Sequence, residues 1–74
     1  MATVLTDRHA TSAGRRVRIH RINRGMSPEQ FGHRVGVSGQ TIRRIENGKR
    51  PTIRTMFLVA RELDCEVVDL WPPE

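Results

Sequence analysis

With 74 residues, 36% hydrophobic and only 4% aromatic, the chain can form one small aliphatic core, which favours packed helices and leaves no room for a catalytic cleft beside a cofactor fold. Its net charge of +5 is unevenly divided: residues 8–54 hold twelve of the thirteen basic side chains against Glu29 and Glu46, whereas residues 55–74 hold Arg61 against Glu62, Asp64, Glu66, Asp69 and Glu74. A basic block followed by an acidic one, with twelve of the cations arginine, points to a polyanion-binding surface, because the planar guanidinium matches phosphates and guanine edges.

Residues 1–12 show no sustained apolar period and read as a flexible arm ahead of a domain over residues 13–74. Helix formers take over from Ala13 to Arg24, with Val17, Ile19 and Ile22 as the apolar positions and Gly25 as the left-handed stop. The second helix opens on three agreeing signals. Ser27 caps it, Pro28 takes the first helical position, and Gln30 completes a capping box, with Met26 and Phe31 flanking as a hydrophobic staple. That helix carries Phe31 and Val35 on one face and stops at Gly36. Ser38 then caps a third helix only two residues later, with Val37 and Ile42 in the staple positions.

Two short helices joined by a glycine-containing turn predict a helix-turn-helix. At 100° per residue, Gln40, Arg43, Arg44 and Asn47 share one arc of the third helix, while Ile42 and Ile45 lie opposite. Gly48 ends this helix, and Lys49, Arg50 and Pro51 form a basic connection. Thr52 caps the fourth helix, for which Ile53, Met56, Phe57, Ala60 and Leu63 supply a core stripe. A short fifth helix over about Cys65 to Trp71 closes the core with Val67, Leu70 and Trp71 before Pro72 and Pro73 end it. The expected fold is all-α, a five-helix domain.

The major groove of DNA admits an α-helix, and there arginine pairs with guanine and glutamine or asparagine with adenine. The arc of Gln40, Arg43, Arg44 and Asn47 offers those residue types, and the Lys49-Arg50 connection and helix N-termini suit phosphates. A solvated basic face is the plain alternative for Arg43 and Arg44. For the Arg15, Arg16 and Arg18 cluster, solubility charge and phosphate contact weigh equally. The arm, with Arg8 and His9, reads as disordered in preference to a minor-groove element.

The runs from Arg21 to Ser27, from Phe31 to Ser38 and from Thr41 to Pro51 resemble the phage repressor and Cro family of helix-turn-helix regulators, and the likeness extends over roughly residues 17–71. This resemblance implies a lambda-repressor-like domain that binds near-palindromic operator DNA, usually as a symmetric dimer, with the third helix as reader. It places Gly39, Gln40, Thr41, Arg43 and Arg44 toward bases and Ser27, Ser38, Asn47, Lys49 and Arg50 toward phosphates. It further implies that Arg21 and Glu46 form an ion pair tying the first helix to the end of the third. Pro28 stands where the family often has a phosphate-binding glutamine, Gly32 where it usually has alanine, and His20 where leucine is common. Gly39 leaves the first reading position without a side chain, so readout leans on Gln40 and the arginines.

Leu58 and Val68 occupy positions that the family usually fills with polar residues, and with Trp71 they are a candidate dimer surface, although Trp71 is more simply a lid on the core. A second class of function keeps the same fold as an antitoxin or adaptor, with the acidic C-terminal side facing a small protein partner. Catalysis is not expected, since no nucleophile, base and orienting acid can be assembled. No cofactor is expected, and His9, His20 and His33 with a distant Cys65 lack metal-ligand spacing. Residues 1–5 do not resemble a secretory signal, the longest apolar run spans only residues 56–60, and one cysteine forms no internal disulfide. These features predict a cytoplasmic protein of a bacterial cell or a phage-infected host.

Overall fold

The computed structural model describes residues 12–73, and the arm with Arg8 and His9 lies outside the described residues apart from its last position. Among the described residues there are five helices: α1 (Ser12–Asn23), α2 (Pro28–Val35), α3 (Gly39–Glu46), α4 (Ile53–Glu62) and α5 (Val67–Leu70). The local signals act as chemistry demands. Ser27 Oγ accepts from the Gln30 amide at 3.1 Å while the Gln30 side chain accepts from the Ser27 amide at 2.8 Å. Ser38 caps α3 through the Thr41 amide, and Thr52 caps α4 through the Thr55 amide. Each satisfies donors that a helix start leaves unpaired.

α2 and α3 pack most closely, α1 lies across α3 and α5, and α4 bridges α2 and α5. The core is Ala13, Val17, Phe31, Val35, Ile42, Ile45, Met56, Val59, Ala60, Leu70 and Trp71. Gly36 turns the chain between α2 and α3 at φ +104°, in the left-handed region that other residues avoid. Its amide and that of Val37 both donate to the Gly32 carbonyl, at 2.7 and 2.8 Å, so the turn is as short as a helix-turn-helix requires.

Several expected core positions are open instead. Of the large apolar side chains on α1 Val17 turns inward, beside Ala13, whereas Ile19 and Ile22 are each 56% exposed, because α3 and α5 cover one side of the helix. On α4 the buried arc runs through Met56, Val59, Ala60 and the half-buried Leu63; at 100° per residue Ile53 and Phe57 fall beyond its edge and stand exposed. The fifth helix is one turn rather than the expected span from Cys65 to Trp71, although Leu70 and Trp71 do fill the core. Cys65 packs against that core, where burial pushes its thiol pKa up.

His20 sets its ring edge-on against Phe31, with centroids 5.6 Å apart. The Arg24 guanidinium lies 3.2 Å from Nδ1, which must therefore accept, leaving the proton on Nε2 in a buried place without a partner. Burial first, and then Arg24, lowers the pKa below the ordinary 6.5. The unfolded chain consequently takes up the second ring proton, on Nδ1, more readily. Stability is complete above the unfolded pKa and declines as pH falls through it toward the folded value. Denaturant unfolding at pH 8 and at pH 5 is expected to show a loss on acidification that His20→Leu reduces.

Candidate nucleic-acid interface

α3 is held from within and left open outside. Ile42 and Ile45 are fully buried, at 0% and 1% exposure, whereas Gln40, Arg43, Arg44 and Asn47 are exposed on the opposite face. Burial of the two isoleucines fixes the rotation of α3 about its axis, and that rotation decides which side chains reach outward. Thr41 is half-buried at the edge of this face, its hydroxyl 3.1 Å from that of Ser38.

A second restraint fixes the far end of α3. Arg21 on α1 donates from Nε to Glu46 Oε2 at 2.7 Å and from Nη2 to Oε1 at 2.9 Å, a two-pronged pair with side chains only 14% and 10% exposed. A third donor, Nη1, reaches the Met26 carbonyl at 3.0 Å, so one guanidinium ties together α1, the approach to α2 and the end of α3. The Glu46 hydrogen bonds raise the Arg21 pKa further above its already high value. The carboxylate is thereby paired inside the basic block.

Thr41, Arg44, Lys49 and Arg50 surround one cleft beside α3, which Ile45, Pro51, Thr52 and Thr55 complete. The cleft thus collects two residues expected at bases and two expected at phosphates. Thr52, the cap of α4, and Thr55 in its first turn join them, although the sequence signalled only the cap at Thr52. Ser27 and Ser38 stand at the starts of α2 and α3, where their hydroxyls serve as caps. Asn47 closes α3, its amide donating to the Arg43 and Arg44 carbonyls at 3.0 and 3.1 Å.

Two positions depart from the sequence expectation. Gly39 is buried and not open at the surface, because the Glu29 side chain from α2 lies over it. Arg43 is not free: its Nη2 donates to Glu29 Oε2, and this bond holds the Glu29 carboxyl below its usual pKa. In the sequence Glu29 reads as an ordinary acid in the first turn of a helix, and nothing local links it to Arg43.

Of the candidate dimer residues, Val68 is 58% exposed, Leu58 is half-buried against the core and Trp71 is buried at 6%. Trp71 is therefore a lid on the core and no part of an open patch. The open apolar side chains on α4 and α5 are Ile53, Phe57 and Val68. Arg34 on α2 pairs with Glu62 on α4, joining the basic and acidic parts of the chain. Among the described residues no group of His, Cys, Asp and Glu could hold a metal ion, and no helix is long and apolar enough to cross a membrane.

A family model described as helix-turn-helix matches residues 17–70. An uncharacterized HTH-type transcriptional regulator of Archaeoglobus fulgidus is 35% identical over 57 residues, which make up 76% of this chain and 81% of that protein. No solved structure matches the chain.

Proposed function

The chain belongs to the helix-turn-helix family, and from that premise we propose that it is a DNA-binding transcriptional regulator of the repressor or Cro type that lays α3 in the major groove of an operator. The observation that carries this reading is the division of α3: Ile42 and Ile45 lock it to the core while Gln40, Arg43 and Arg44 face outward. Arginine and glutamine are the side chains that read guanine and adenine there. Lys49 and Arg50, exposed beside the cleft, supply phosphate attraction, as does the rest of the basic block. Such a protein acts in the compartment that holds the DNA, the cytoplasm of a cell without a nucleus.

The proposed operator is near-palindromic, occupied by two copies whose α3 helices enter successive major grooves about 34 Å apart. Ile53, Phe57 and Val68 are apolar side chains available to the contact between copies. A sedimentation mass of one chain on a two-half-site duplex at high protein concentration would sink the dimer while leaving DNA binding in place.

Selection of bound sequences from random duplexes at two salt concentrations tests the whole reading. One preferred sequence, and affinity that falls with salt, are expected. On the selected duplex Arg44→Ala should cost roughly 2 kcal/mol and relax the preference at one base pair, whereas Lys49→Ala should weaken all duplexes alike and lower the salt slope by about one. Equal losses on selected and random DNA for Arg44→Ala would refute its role as a reader.

A further inference from the structure

We propose that Glu29 on α2 is a specificity-determining positioning residue of the reading surface: seated over Gly39, it holds the Arg43 guanidinium in one orientation. This rests on the reading of α3 as the major-groove helix and adds to it a residue from the preceding helix. Three observations carry it. A Cβ placed on Gly39 would lie 2.8 Å from Glu29 Cδ and Oε2 and 2.9 Å from Cγ, so the missing side chain at position 39 is the space that Glu29 occupies. From that seat its carboxylate accepts from Arg43 Nη2. Both side chains remain about half exposed, at 59% for Glu29 and 53% for Arg43, so the pair sits on the open surface of the domain.

The chemistry follows from what a free arginine lacks. Its long stem samples many rotamers, and a guanine edge is recognised only when the fork arrives in plane with O6 and N7. Binding one Nη to a carboxylate removes most of those rotamers and leaves the remaining N–H groups to donate. The same carboxylate cancels the charge of Arg43, so this arginine adds little to sequence-independent attraction. Gly39 is therefore the condition for a reader prepared by α2, and its lack of a side chain is no loss of readout.

The test uses the full chain and its selected duplex, with Glu29→Ala, Gly39→Ala and the double variant, each checked for an unchanged melting transition. Glu29→Ala frees Arg43 and adds one net positive charge, so affinity for random duplex should rise while discrimination at the base pair facing Arg43 falls about tenfold. Gly39→Ala keeps every charge, and its methyl displaces the flexible end of Glu29. It should lose the same discrimination without the gain on random DNA, and the double variant should lose no more than Glu29→Ala alone. Base preference unchanged in both single variants, with the parent chain still selecting a sequence, overturns the proposal and leaves the DNA reading intact. A change in Glu29→Ala alone makes the effect one of charge and equally overturns the positioning role. A parent chain that selects no sequence overturns the DNA reading itself.

Discussion

Glu46→Ala is expected to destabilise the fold by about 3 kcal/mol, at the low end for removing one partner of a buried ion pair because both side chains keep a little solvent contact. The substitution strands a guanidinium with two of its three bonds gone, only the Met26 carbonyl remaining. For 74 residues a total stability of roughly 4 to 11 kcal/mol is ordinary, so this loss is a large fraction of the whole. Chemical denaturation monitored by circular dichroism measures it. Arg21→Ala should cost a similar amount, and the double variant should cost well below the sum of the two, since the second removal finds no partner to strand. A loss below 1 kcal/mol for Glu46→Ala would show that the pair orients α3 without stabilising it.

Gly32→Ala is the second large effect, again about 3 kcal/mol. A methyl group there would meet the Val37 carbonyl oxygen at 2.6 Å and the Ser38 carbonyl carbon and oxygen at 2.9 and 3.0 Å. These are backbone atoms of the turn itself, and they cannot yield as the end of a side chain can. Alanine favours a helix interior over glycine by about 1 kcal/mol, which opposes the overpacking without cancelling it. Relief requires the turn to move away from α2 and to carry the start of α3 with it. Thermal denaturation should register the lost stability, and binding to the selected duplex should weaken more than binding to random DNA. A variant as stable as the parent chain, with the same base preference, would show that the turn has room to spare. Alanine is usual at this position in the family that the sequence resembles; here the closeness of two backbones calls for glycine.

The helix boundaries were legible because their causes are local. Ser27 with Gln30, Ser38 with Thr41, and Gly36 in the left-handed region each act within a few residues, and each does in the fold what its position in the chain implies. The outward face of α3 was legible for the same reason, since Ile42 and Ile45 fix its rotation by spacing alone. The faces of α1 and α4 were not. Apolar residues outnumber the buried places on both helices, and Ile19, Ile22, Ile53 and Phe57 lose those places because of where the neighbouring helices lie.

Sequence by itself determined where the second and third helices start and stop, that these two form a helix-turn-helix, and that the third lies in a basic, arginine-rich block. These follow from short-range hydrogen bonding, backbone dihedral preference and charge count. Only the tertiary structure decided that Ile19, Ile22, Ile53 and Phe57 stand outside the core, that the turn backbone crowds Gly32, and that Glu29 lies over Gly39 and holds Arg43 from fourteen residues away. Each depends on the distance between two helices. That distance is set by how the whole core packs, a quantity that no local run of residues carries.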